Sequence, residues 1–315
     1  MMRASFLLMA LAAVPLHAQD ITYTNSIGMK FTLIQPGTMQ VGVYQPTCPD
    51  PNAPARPFAG FGGPGGPGGN RAGGAAAPSG APATPPRTRQ PADPRTVWTP
   101  ADIATCEKLV KQDTMPGFSV TLKKPYYIGI YEVTQEQYKK VMGTNPSVFQ
   151  GSKVSDDAAQ HPVDSVTWQD AQAFVKKLNI LEHSKAYRLP TEFEWEYAGR
   201  AGGPGQVPWA DIRAQAWEQL GNQPNATTHT VGTKEPNAWG LYDMLGNVWE
   251  WVADVYNDKI FPDPTPPTKG DLHVLKGGSF LGDVKNSIYA THGAGPGDGF
   301  NVGFRIVRDV TQTKQ

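Results

Sequence analysis

The residues most able to do chemistry lie in GLYDMLGNVWEWVADVY, running from Gly240 to Tyr256. Asp243, Glu250 and Asp254 interrupt a tryptophan-rich run, and a Gly-Asn pair stands at 246–247. Calcium takes six to eight oxygens, commonly carboxylates mixed with backbone carbonyls on a tight, glycine-containing loop. Asp243 and Glu250 bracket such a loop, with the carbonyls of Gly246 and Val248 free to turn inward. The acids are sparser than those of an EF-hand, so a second reading stands beside the first: Asp243 caps a helix and Glu250 makes a surface salt bridge.

Other candidates are weaker. His161, His183, His229, His273 and His292 share no ligand-like spacing, and each reads first as a structural or surface histidine. HGAGPGDGF is glycine-rich, yet it lacks the strand-to-helix setting of a phosphate loop. Asp283 and Asp298 read as solvated loop acids. Cys48 and Cys106 are the only cysteines. Neither stands beside a histidine or a helix start that would activate a thiol.

Elements must position these residues. MKFTLIQPGTMQVG (29–42) alternates about Pro36-Gly37 and predicts a β-hairpin. FSVTLKKPYYIGIYEVT predicts two strands. Three capping boxes predict helices: Thr134 with Gln137, Thr167 with Asp170, and Thr191 with Glu194. Trp168, Ala171, Val175 and Leu178 line one face of the second at helical spacing. LHVLKGGSF and VGFRIVRD predict the closing strands. The sum is an α+β chain with little regular structure for its 315 residues.

Between the hairpin and the later strands, residues 58–95 read FAGFGGPGGPGGNRAGGAAAPSGAPATPPRTRQPADPR. This has too few large apolar side chains to offset the entropy of ordering. A single domain over 19–315, carrying a disordered Gly/Pro/Ala-rich insertion at about 50–100, follows from strands that look like neighbours on either side. Residues 1–18 predict a secretory signal peptide: Arg3 is its charge, Phe6 to Val14 its apolar run, and Ala18 the small residue before the cut. No other stretch suits a transmembrane segment, which places the mature chain in a periplasmic or extracellular space. There an even pair of cysteines predicts a Cys48–Cys106 disulfide at the neck of the insertion. With 28 basic and 28 acidic residues, nothing marks a nucleic-acid partner.

Six segments follow one another in order: YYIGIYEVTQEQYKKVMG, HPVDSVTWQDAQAFVKKL, YRLPTEFEWEYAGRAG, NAWGLYDMLGNVWEWVAD, KGGSF and VGFRIVRD. Together they resemble the formylglycine-generating enzyme family, whose domain is also called sulfatase-modifying factor, over about residues 24–310 apart from the insertion. The resemblance implies a variant of the C-type lectin fold. It implies calcium at Asp243, Gly246, Val248 and Glu250, a loop whose first position is often Asn in the family. The family's second calcium site cannot be traced here. Trp249 and Ser279 match residues flanking the family's pocket. The two copper-binding cysteines that follow Gly-Gly-Ser align with Gly282 and Ser287, and neither side chain offers the soft thiolate that Cu(I) needs. The leading expectation is therefore an exported binding or scaffold module with calcium and without copper. Its ligand would be an unidentified protein, peptide or small molecule. The alternatives are a superfamily enzyme using non-thiol chemistry, and a formylglycine-generating oxidase with other ligands.

Overall fold

The computed structural model describes residues 21–41, 104, 117–203, 214–218, 226–260, 267, 269–282, 289–295, 297 and 299–310. The signal peptide, the insertion, both cysteines, Asp283, Ser287 and Asp298 lie outside the described residues.

Three helices form where the capping boxes stand: α1 (Gln135–Met142), α2 (Trp168–Leu181) and α3 (Glu192–Gly199). In each, the threonine hydroxyl accepts the third residue's N–H while that residue's side chain accepts the N–H of the cap. One such cap is worth ~1 kcal/mol. Gly143 ends α1 at φ 86°, a left-handed turn that favours glycine. Ala171, Phe174, Val175 and Leu178 form the buried face of α2.

The strands are β1 (Thr22–Thr24), β2 (Lys30–Ile34), β3 (Gly37–Val41), β4 (Phe118–Leu122), β5 (Tyr126–Gly129) and β6 (Tyr187–Arg188). Then come β7 (Trp249–Val255), β8 (His273–Lys276), β9 (Gly293–Gly295), β10 (Val302–Phe304) and β11 (Val307–Asp309). They build a five-stranded sheet ordered β1-β2-β5-β11-β6, a four-stranded sheet ordered β10-β7-β8-β9, and the pair β3-β4.

Two strand expectations are corrected. Residues 29–42 are not a hairpin: β2 pairs with β1 and β5, whereas β3 pairs with β4. Pro36-Gly37 is a crossing between sheets. A Cβ on Gly37 would sit 1.9 Å from the Tyr197 hydroxyl, so the chain passes too close to Tyr197 for a side chain there. The β3–β4 ladder joins Val41 to Phe118 and so closes the base of the long segment between them. VGFRIVRD also divides, with β10 in one sheet and β11 in another. At the break, Arg305 turns into the interior and Ile306 is buried.

Two apolar clusters fill the interior. One gathers Ile34, Tyr126, Trp195, Leu245 and Val252, and the other Phe31, Phe174, Leu178, Trp251 and Phe304. β7 runs between them and sends Val252 to one and Trp251 to the other. That alternation is the ordinary consequence of strand geometry. The whole strand lies within the acid-bearing stretch from Gly240 to Tyr256.

Candidate functional site

Asp243 and Asn247 both adopt φ 54°, and Gly246 adopts φ 79°. Three left-handed residues in five coil the backbone tightly before β7 begins. Gly246 is required sterically as well, because an added Cβ would lie 2.2 Å from the Trp217 carbonyl oxygen. Asp243, Gly246, Val248 and Glu250 are all buried in this one loop.

Neither bland reading of the acids holds. Asp243 caps no helix: its Oδ2 accepts the Gly232 N–H at 2.7 Å. Its Oδ1 is buried with no hydrogen-bond partner. Glu250 is not at the surface but 1% exposed, facing Arg305 at 0%. Arg305 Nε donates to both Glu250 oxygens, at 2.9 and 2.7 Å, and Nη2 donates to Oε1 at 2.7 Å. Trp195 Nε1 donates to Oε2 at 2.7 Å. These are three donor hydrogens, one of them shared, against the roughly four acceptor positions of a carboxylate. Each Glu250 oxygen thus accepts two hydrogen bonds, which leaves Asp243 Oδ1 as the unpartnered oxygen of the loop.

A third acid completes the cluster. Glu132 is fully buried and accepts from Asn247 Nδ2 at 2.7 Å and from the Val248 N–H at 3.2 Å. Burial first, then the charges of Asp243 and Glu250, raise its carboxyl well above the ordinary range. Burial likewise raises Asp243 to about 6, against the opposing pull of the Gly232 N–H and Arg305. Burial opposes the charge of Arg305 too, but Glu250 outweighs it and holds the guanidinium above its usual value.

A neighbouring buried cluster shows what balance looks like. Glu192 and Glu196 face Lys276 at 3.5 and 3.1 Å, Glu196 also pairs with Arg200, and Glu192 bonds His292 Nδ1 at 2.7 Å. There, cations match anions. Around Asp243, three carboxylates face the single buried guanidinium of Arg305. Lys234 lies near enough to lower Asp243, though its ammonium rests 4.3 Å from the Trp217 ring centroid.

Calcium suits this arrangement. Asp243 Oδ1 is an orphaned buried oxygen, three acids share one buried guanidinium, and the donors are all hard oxygens. Among the described residues no group of three or more His, Cys, Asp or Glu side chains is placed to hold a metal. A cation here would therefore rely on carbonyls from Gly246 and Val248 beside the acids.

The second predicted site is brought together by a residue the sequence argument passed over. Asn301 donates from Nδ2 to the Ser279 hydroxyl at 3.0 Å, and its carbonyl accepts the Trp249 N–H at 2.8 Å. Trp249 is half-buried and Ser279 buried. The Gly282 N–H turns back to the Ser279 carbonyl at 2.8 Å. Gly282 thus sits one tight turn from Ser279. Phe149, Phe280 and Phe300 pack together beside it, with Phe149 and Phe280 centroids 5.1 Å apart.

The histidines are held apart. His161 bridges Thr228 and Asp156, His229 stacks on Trp217, His273 stacks on Trp168, and His292 engages Glu192. His183 is exposed, at φ 48°. Glu132, Arg305 and Asn301 went unsingled, although Glu132 and Arg305 lie inside YEVT and GFR, both within segments that carried the resemblance.

Residues 81–310 match the family described as sulfatase-modifying factor enzyme 1-like domain. The chain is 30% identical over 244 residues to the chaperone protein LppX of Paenibacillus barcinonensis, an alignment covering 60% of this chain and 82% of that protein. It is 35% identical over 153 residues to the formylglycine-generating enzyme of Thermomonospora curvata, which covers 42% of this chain and 48% of the enzyme. Among solved structures, variable protein 1 of Treponema denticola superposes with a TM-score of 0.56 at 31% identity, covering 62% of this chain and 87% of that one.

Proposed function

Because the chain belongs to the sulfatase-modifying factor enzyme 1-like domain family, we propose that it is an exported binding or scaffold module of that fold, built on a calcium loop and without cysteine oxidase activity. The observation carrying this reading is the turn after Ser279. The family's copper chemistry needs two thiolates there, and the segment from Ser279 to Arg305 contains no cysteine. Gly282 has no side chain to offer a metal, and a serine hydroxyl at 287 is a hard, weakly acidic ligand that does not suit Cu(I). Copper does not fit these residues.

The binding surface in this reading is formed by Trp249, half-buried, the Ser279 hydroxyl held by Asn301, and the phenylalanine group beside them. A chaperone among the relatives at 30% identity is consistent with a role in holding another molecule. Calcium would sit at Asp243, Gly246, Val248 and Glu250 and supply charge compensation and rigidity. Export with cleavage near Ala18, and a Cys48–Cys106 disulfide, complete the proposal.

Metal analysis of the purified mature protein tests it. The expected result is about one calcium per chain with no stoichiometric copper. Copper near one per chain, retained through dialysis against a weak chelator, would overturn the reading.

A further inference from the structure

Residues 226–233 cross between the acid cluster and an open groove of about 730 Å³. The groove is lined by Gln135, Lys139, Lys140 and Gln150 together with Ala158 and Ala159. Of residues 226–233 only Thr228 is buried; the rest are half-buried or exposed. Apolar packing therefore holds this segment weakly. Polar contacts at its two flanks hold it instead.

On the acid-cluster flank, the Gly232 N–H donates to Asp243 Oδ2 at 2.7 Å. Asn247 clamps His229 twice: its Oδ1 accepts the His229 N–H at 3.0 Å and its Nδ2 donates to the His229 carbonyl at 3.2 Å. The His229 ring stacks 3.7 Å from Trp217, and the Trp217 carbonyl accepts the Asn247 N–H at 2.9 Å. On the groove flank, His161 joins Thr228 at 2.9 Å to Asp156 at 2.7 Å. Thr230 donates to the other Asp156 oxygen at 2.6 Å, and the Val231 N–H donates to the Gln160 carbonyl at 3.0 Å. Ala158 and Ala159 lie inside the turn that Asp156, Gln160 and His161 anchor.

We propose that residues 226–233 are a strap through which cation binding at the 243–250 loop holds the Ala158–Ala159 wall of the groove. The inference rests on the calcium reading above. Asp243 and Asn247 are the strap's attachment points, and both belong to the loop that would hold the cation. Without the cation, Asp243 Oδ1 stays buried without a partner beside those attachments. A segment held by few apolar contacts is the first to open locally. A cation bound only by the closed form suppresses that opening by mass action. Because the strap spans both flanks, the same opening releases Val231 from Gln160 and Thr228 from His161. Cation site and groove wall are then coupled in both directions.

Hydrogen exchange read by mass spectrometry on the full mature chain, with calcium or with a chelator, tests this. Calorimetric calcium titration is run on the same preparation. At calcium near ten times its Kd, amides at 229–232 and 158–161 should exchange about tenfold more slowly than in chelator. Thr228→Val removes the hydroxyl that reaches His161 and leaves every residue of the 243–250 loop intact. In this variant, protection at 229–232 should persist while the response of 158–161 to calcium weakens, since the Thr230–Asp156 and Val231–Gln160 contacts remain. Calcium binding with protection confined to 243–250 overturns the strap and leaves the calcium reading standing. No calcium binding overturns both.

Discussion

Arg305 and Glu250 form an ion pair with Nη2 2.7 Å from Oε1, and both side chains are sealed from solvent. Arg305 also donates to the carbonyls of Gly129 and Tyr242, at 3.1 and 2.9 Å. One guanidinium thus ties β5, the acid loop and the first turn of β7 together. Its planar fork reaches all three at once, which a lysine ammonium cannot.

Removing one partner of a buried pair leaves the other charge uncompensated. Arg305→Met should therefore destabilise the fold by ~3–5 kcal/mol. Arg305→Lys should recover only part of that, since charge returns without the fork. Urea unfolding gives both values. A loss below ~1 kcal/mol for Arg305→Met would mean that the pair is not the tie described here.

Gly246 and Gly240 offer a controlled comparison, with φ 79° and 76° respectively. Alanine at either position meets the left-handed penalty of ~1–2 kcal/mol. At Gly246 the new Cβ also meets the Trp217 carbonyl at 2.2 Å, whereas nothing lies within 4 Å of Gly240. Gly246→Ala should thus cost clearly more than Gly240→Ala, and it alone should weaken calcium binding. Equal unfolding midpoints would contradict the close packing of Trp217 on the loop.

Asp254 sets a pH dependence. Burial raises its carboxyl to about 6 from the ordinary 3.8, while the N–H of Glu192, received at 2.6 Å, pulls the other way. Below pH ~4 the group is protonated folded and unfolded alike, so it costs nothing. Between pH ~4 and ~6 the unfolded chain releases the proton first, and stability falls as pH rises. Above pH ~6 the full penalty stands, at ~2–3 kcal/mol. Asparagine can still accept the Glu192 N–H and never ionises. Asp254→Asn should therefore gain on the wild type between pH 4 and pH 7 by up to that amount. Urea midpoints that differ by a constant across this range would refute the assignment.

The helices were legible because each begins with a reciprocal side-chain cap, a signal contained within four residues. The crossing at Pro36-Gly37 was not, because a turn dipeptide fits a hairpin and a passage between sheets equally well. What decides is the pairing of β3 with β4 and of β2 with β5, strands more than seventy residues further along the chain. The acid loop was legible through its oxygen donors and its glycine. Its third carboxylate, Glu132, comes from more than a hundred residues away, and local spacing cannot reveal that. Asn301 was hidden for the same reason: its hydrogen bond to Ser279 joins two turns that the pairing of β7 with both β8 and β10 brings together.

The central claim, a module of this family that does not oxidise cysteine, meets its most direct test in a peptide assay. Copper-loaded protein is incubated in air with a Cys-X-Pro-X-Arg peptide, and the products are read by mass spectrometry. With no cysteine in the sequence from Ser279 to Arg305, the account predicts that the peptide keeps its thiol. A peptide carrying an aldehyde in place of that thiol, formed at a rate proportional to protein concentration, would contradict it.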